Sequence, residues 1–167
     1  MHKGQGFTFF IMGVSGTGKS TIGKLLSNKL ALPFYDGDDY HPKANIDKMA
    51  AGKPLNDDDR HDWLVQLNKI ALKNKELGSI IACSSLKKKY RDILKKDLTH
   101  FCFIFLEGSF DLILSRMKKR KNHFMPAELL KSQFETLEIP DSSEAFITVS
   151  IEHTPDQIIS EIINQLN

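Results

Sequence analysis

The sequence predicts an α/β domain, a parallel sheet of about five strands covered by helices on both faces. Three observations point there. Short apolar runs alternate with amphipathic helical stretches along the whole chain. The first apolar run passes straight into a glycine-rich loop that opens a helix. No repeat, low-complexity tract or Pro/Gly/Ser-rich linker interrupts the 167 residues, so a single domain spanning 1–167 is expected.

The elements follow in order. Residues 7–12 are aromatic-rich and nearly free of polar side chains, as a strand covered on both faces requires. Beyond the glycine loop, Ile22, Leu25, Leu26 and Leu30 recur at helical spacing, with Lys24 and Asn28 on the opposite side. A short run at 32–35 ends in Asp36-Gly37-Asp38. Further strands are expected at 79–83, 101–106 and 146–151, with helices at about 58–76, 86–97, 109–120 and 126–137. The last helix carries its own start signal: Thr154 as N-cap, Pro155 in the first turn and Gln157 completing a capping box. Its apolar stripe is Ile158, Ile159, Ile162, Ile163 and Leu166. Ligands of such sheets bind beyond the carboxyl ends of the strands, where the loops at 13–20, 36–41, 84–87 and 107–109 should converge.

Composition narrows the partners. A hydrophobic fraction of 41% supplies a core. Basic and acidic residues number 23 and 21, a formal net charge of +2, which gives no electrostatic case for nucleic acid or an acidic membrane surface. Cys83 and Cys102 sit inside apolar runs and read as buried, reduced thiols. No leader pattern opens the chain, and the run at 7–12 falls far short of the roughly 20 residues that cross a bilayer. A cytoplasmic protein is expected. The histidines and cysteines show no zinc-ligand spacing.

The chemistry starts in Gly13-Val14-Ser15-Gly16-Thr17-Gly18-Lys19-Ser20, which matches G-x-x-x-x-G-K-[ST] between a strand and a helix. Gly13, Gly16 and Gly18 permit backbone conformations and a close approach that side chains would block. Backbone N–H groups can then face phosphate oxygens at the positive end of the helix. Lys19 reaches the outer phosphates and the Ser20 hydroxyl suits Mg²⁺, the one metal implied. A plain glycine turn would need neither residue.

A P-loop is shared by switches, motors and small-molecule kinases. The guanine-reading Asn-Lys-x-Asp has no match, since Asn74-Lys75-Glu76-Leu77 lacks the aspartate. The central apolar run ends Cys83-Ser84-Ser85 instead of in the aspartate that motors use. The acidic pair is Asp36 and Asp38, after the second strand. One such carboxylate can hold a metal-bound water while the other takes a proton from an attacking hydroxyl; an ordinary acidic turn is the competing reading. Arg116, Lys118, Lys119, Arg120 and Lys121 precede His123-Phe124-Met125-Pro126. This cluster reads either as favourable charge at a helix C-terminus or as a lid over about 116–128. In a lid, Arg116 and Arg120, four apart on one helix face, would swing over the phosphates.

These residues resemble the gluconate kinases, a family of small P-loop kinases related to shikimate and nucleoside monophosphate kinases. The likeness runs over nearly the whole chain. It includes the loop through Thr21, then Asp36-Gly37-Asp38-Asp39-Tyr40-His41-Pro42, Asn45, Lys48-Met49, Gly52, Pro54-Leu55, Asp57, Asp59-Arg60 and Trp63-Leu64. Downstream it takes in Cys83-Ser84-Ser85-Leu86-Lys87, Tyr90-Arg91-Asp92, Arg120, His123-Phe124-Met125, Leu129-Leu130, Ser132-Gln133-Phe134 and Leu137-Glu138. Asn122 and Asp62 stand where the family usually has Gly and Pro.

The resemblance implies a three-layer P-loop kinase sandwich with a lid and a substrate-binding helical segment at about 40–76. It implies ATP- and Mg²⁺-dependent phosphorylation of D-gluconate to 6-phospho-D-gluconate, and a homodimer. Gly13 through Thr21 with Arg116 and Arg120 would hold the nucleotide, and Ser20 and Asp36 the metal. Lys19, Asp38 and Arg120 would carry catalysis, with Asp38 receiving the proton of the primary alcohol. Arg60 suits a bidentate grip on the carboxylate. His41, Lys87, Arg91, His123 and Gln133 complete the expected acceptor contacts. Lys87 and Arg91 read equally as a solvated basic face, and Trp63 as a core or pocket-wall residue. Two alternatives stand beside this reading: a kinase of shikimate or a nucleoside monophosphate, and an ATP-binding module without transferase activity.

Overall fold

The computed structural model describes residues 6–120 and 127–167. Five parallel strands form one sheet in the order β2-β3-β1-β4-β5. They are β1 (Thr8–Met12), β2 (Phe34–Asp36), β3 (Ser79–Ala82), β4 (Phe101–Glu107) and β5 (Phe146–Ser150). β1 is buried along its whole length, because it lies between β3 and β4 in register, with Phe10 opposite both Ile81 and Phe103. That position is why its sequence is an unbroken apolar run.

Seven helices connect and cover the strands among the described residues: α1 (Lys19–Leu30), α2 (Lys43–Ala50), α3 (Asp57–Lys73), α4 (Lys88–Lys95), α5 (Phe110–Lys118), α6 (Ala127–Thr136) and α7 (Pro155–Leu166). α1 packs with α7, and α3 with α4; right-handed crossovers put the two pairs on opposite faces. The chain leaves β1 toward one edge of the sheet and β4 toward the other. Such a reversal opens a crevice at the carboxyl ends of the strands. The Thr154 capping box forms as expected, with the Thr154 hydroxyl accepting from the Gln157 N–H and the Gln157 side chain accepting from the Thr154 N–H.

Two helical expectations, at 86–97 and 109–120, are corrected. The segment at 40–76 is built of two helices, α2 and α3, after a 3-10 turn at Gly37–Tyr40, and α3 is the helix expected at about 58–76. The break lies at Gly52, with φ +79°, and at Pro54, which has no N–H to extend a helix. An Asn56–Asp59 capping box then restarts the chain as α3. α4 is shorter than 86–97, since Ser85 and Asp97 hold positive φ at either side of it. α5 stops at Lys118, so Arg120 lies beyond the helix and shares no helix face with Arg116. Among the described residues no helix is long and apolar enough to cross a membrane. Cys83 and Cys102 are buried free thiols, and burial pushes both pKa values up to about 11.

Candidate active site

The glycine loop sits at the carboxyl end of β1. Gly13 holds φ +148°, and a Cβ there would come within 2.9 Å of the Leu106 carbonyl of β4. Gly18, at φ +91°, is the N-cap of α1 and borders open space. The buried Thr17 hydroxyl donates to the Val14 carbonyl at 2.9 Å and fixes the loop's curvature. Lys19 Nζ donates to the same carbonyl at 3.0 Å, so the ammonium lies along the loop. Burial lowers the Lys19 pKa, and the nearby Asp38 and Asp36 carboxylates oppose that shift.

Asp36 ends β2 and is pinned on both oxygens. One accepts from the Ser20 hydroxyl at 2.5 Å, the other from the Asp38 N–H at 3.1 Å. The second bond caps the 3-10 turn that carries Asp38 out of the sheet. Trp63 of α3 braces this turn by donating its indole N–H to the Gly37 carbonyl at 2.7 Å. Its ring stacks on His41 at 3.9 Å between centroids. Trp63 is therefore both core and pocket wall.

Two connected clefts result. The first, over the glycine loop, is lined by Gly16, Gly18, Ser20, Thr21, Asp36 and Arg120. The second is lined by Arg60, Trp63, Pro54, Leu55, Ser84 and Gln133, with Leu129 and Ser132 of α6. Ser15, Lys19, Asp38, His41 and Met49 border both. Asp38 thus stands where a group in one cleft meets a group in the other. The His41 imidazole lies 4.0 Å from the Asp38 carboxylate. Burial lowers its pKa and the Arg60 charge adds to this, against Asp38, so the ring is neutral at pH 7.

Arg60 is buried, with 8% of its surface exposed. Its Nη1 donates to the Leu55 carbonyl at 2.6 Å and the Tyr90 hydroxyl at 3.0 Å. Nε and Nη2 keep no partner among the described residues, and no carboxylate there comes within ion-pair distance.

Several expected site residues lie elsewhere. Arg91 is 1% exposed and is held by a two-pronged ion pair with Glu144, at 2.6 and 3.1 Å, and by the Ser85 carbonyl at 2.8 Å. It ties α4 to the segment before β5 instead of facing a ligand. Lys87 is the N-cap residue of α4, not part of its face, and pairs with Asp57 at 3.1 Å. Arg116 donates to the Ile151 carbonyl at 2.8 Å, which leaves Arg120 as the arginine of this cluster beside the glycine loop. The 107–109 turn lines neither cleft; Gly108 packs against Ile151. Residues 121–126 of the expected lid, His123 among them, fall outside the described residues. Gln133 does reach the site, from 118 residues away: its amide oxygen accepts from the Ser15 N–H at 2.8 Å and its nitrogen donates to the Ser15 hydroxyl at 3.2 Å.

Met49, Ser84, Leu129 and Ser132 were not singled out as site residues from the sequence. For Met49 a signal existed: Asn45 and Met49 lie four apart. Asn45 is buried and donates to the Asp59 carbonyl at 2.8 Å, which holds α2 against α3 beside the cleft.

A glycine cradle at the end of the central strand, a lysine folded along it, and an acidic turn facing a second cleft define a P-loop phosphotransferase. Comparison with known proteins narrows the class. A family model for shikimate kinase matches residues 15–167. The chain is 50% identical over 151 residues to a thermosensitive gluconokinase of Escherichia coli, covering 89% of this chain and 81% of that protein. It is 46% identical to a probable gluconokinase of Mus musculus, over 93% and 95% of the two chains. The crystal structure of a gluconokinase from Sinorhizobium meliloti superposes with a TM-score of 0.89 at 36% identity, covering 99% of this chain and 93% of that one. The chain belongs to the shikimate kinase family of P-loop kinases and, within it, to the gluconokinases.

Proposed function

We propose that the protein transfers the γ-phosphoryl group of ATP to the primary hydroxyl of D-gluconate, giving 6-phospho-D-gluconate and ADP. The observation that supports an acidic acceptor is Arg60. A buried cation without a counter-charge costs several kcal/mol, and Arg60, with only Nη1 committed, lines the cleft that Asp38 borders. A ligand carboxylate would complete that pair through charge-assisted hydrogen bonds. The relatives named above favour gluconate among acids of this size.

The roles follow from position. The amides of 15–21 and Lys19 receive the phosphates, with Arg120 at the edge of the same cleft. Asp38 accepts the proton of the attacking alcohol as its oxygen bonds to the γ-phosphorus and the bridging bond to ADP breaks. His41 and Gln133 border the acceptor. Among the described residues no group of three or more His, Cys, Asp or Glu converges to hold a metal unaided. The adjoining Ser20 hydroxyl and Asp36 carboxylate instead suit Mg²⁺, which takes few protein ligands and completes its shell with phosphate oxygens and water. Bound Mg²⁺ supplies charge neutralisation across the β- and γ-phosphates.

The test is ADP formation with gluconate against glucitol, a neutral alcohol of the same chain length. Gluconate should be preferred at least about tenfold in kcat/KM, the loss expected for a charged hydrogen bond left unmade. Equal use of both would rule out carboxylate recognition.

A further inference from the structure

Where α3 meets α4 lies a cluster that the transfer chemistry leaves unused. The Tyr90 hydroxyl accepts from Arg60 Nη1 at 3.0 Å and donates its one proton to the Asp57 carboxylate. Asp57 also accepts from Lys87 at 3.1 Å and from Lys89. The Arg60 guanidinium lies 5.2 Å from the centre of the Tyr90 ring, and Tyr90 is 3% exposed.

The order of this relay matters. Were Asp57 paired directly with Arg60, the carboxylate would neutralise the guanidinium and occupy the donors that a ligand needs. With the hydroxyl interposed, Asp57 compensates part of the buried charge from a distance. A hydroxyl that gives its proton to a carboxylate also turns a lone pair to its other neighbour and becomes a stronger acceptor. That directionality fixes Nη1 and leaves Nη2 and Nε uncommitted on a residue that lines the cleft. A phenylalanine at 90 would pack on the same neighbours without orienting Arg60. Lys87 and Lys89 hold Asp57 ionised: Lys89 is the main cause of its lowered pKa, with Tyr90 next.

We propose that Tyr90 and Asp57 are positioning residues that set the Arg60 guanidinium for the acceptor's carboxylate. The proposal rests on the acidic-acceptor reading given above. A purely structural tie between α3 and α4 would affect both substrates and thermal stability alike, whereas a positioning role touches the acceptor alone.

The experiment is steady-state kinetics of Tyr90→Phe and Asp57→Asn with ATP and gluconate each varied, alongside Tm. Tyr90→Phe should raise KM for gluconate about tenfold, the scale of one charge-assisted hydrogen bond. Its kcat and KM for ATP should stay within about twofold of wild type, and its preference for gluconate over glucitol should shrink. Asp57→Asn, which keeps the Tyr90 packing, should move KM for gluconate in the same direction by a smaller factor. An unchanged gluconate KM in Tyr90→Phe, or an equal rise in both KM values, overturns the proposal while the acceptor reading stands. A wild-type enzyme that does not phosphorylate gluconate overturns both.

Discussion

Replacing Arg60 with Met separates function from stability. The side chain keeps its apolar stem and loses its charge. In the ternary complex, one or more charged hydrogen bonds to the acceptor vanish, each with about 1.5–3 kcal/mol behind it. That corresponds to a rise of about 10–150-fold in KM for gluconate, with KM for ATP unchanged. Stability should respond differently. The Leu55 carbonyl loses its donor at 2.6 Å, which costs about 1–3 kcal/mol. Against this, a buried cation without a paired acid leaves the interior, and apolar replacements of buried charges are often neutral or stabilising. The two effects nearly offset, leaving about 1 kcal/mol or less, or about 4 °C in Tm for a chain of this length. The assay is ADP release with either substrate varied, beside a thermal melt. His41 supplies an internal control: Arg60 helps to hold its pKa down, so its NMR titration should move upward in the variant. An unchanged gluconate KM, or equal losses for both substrates, would refute the reasoning.

Two further outcomes follow from the geometry. Lys19→Met removes the ammonium that lies along the cradle near the Asp36 and Asp38 carboxylates, so kcat should fall by at least about 10²–10³-fold, with circular dichroism and Tm close to wild type; near-normal turnover would contradict the role. Glu144→Gln leaves Arg91 charged and buried at 1% exposure, costing about 3 kcal/mol in urea unfolding. Burial alone would raise the Glu144 pKa, but the Arg91 bonds and charge outweigh it, and the folded-state value lies below the ordinary glutamate value. The unfolded state therefore binds the proton more readily, and the pair's contribution is present above the ordinary value and lost as pH falls through the folded one. The Gln variant should show a shallower acid limb in stability against pH.

Legibility from sequence depended on whether the partners of a residue are local. The phosphate cradle is eight contiguous residues whose shape is set by their own glycines, so Gly13–Ser20 could be read without the fold. The Thr154–Gln157 box likewise lies within a single turn. Arg91 shows the opposite case. Its spacing from Lys87 suggests a shared ligand, but Glu144 lies 53 residues away and decides the matter by burying the charge. Arg116 is diverted by the carbonyl of Ile151, 35 residues on, and Lys87 by Asp57, 30 residues back. Side chains with long reach take partners that tertiary packing supplies. The break between α2 and α3 was visible in principle: Gly52, Pro54 and the Asn56–Asp59 box are strong punctuation. The helix expected from about 58 respects that punctuation, and α2 before it lies within the helical segment that the resemblance implies at 40–76. Arg60 was legible as a grip on a carboxylate only through the resemblance; its uncommitted guanidinium appears once α3 and α4 are packed together.

The most direct measurement compares kcat/KM for gluconate, shikimate and a nucleoside monophosphate under identical ATP and Mg²⁺, reading ADP release. Gluconate should exceed the other two by at least about 100-fold, because a site built to pair specific polar groups discriminates strongly against acceptors that leave them unmatched. Comparable or faster turnover of shikimate or the nucleotide, or no ADP release with any of the three, would contradict the account.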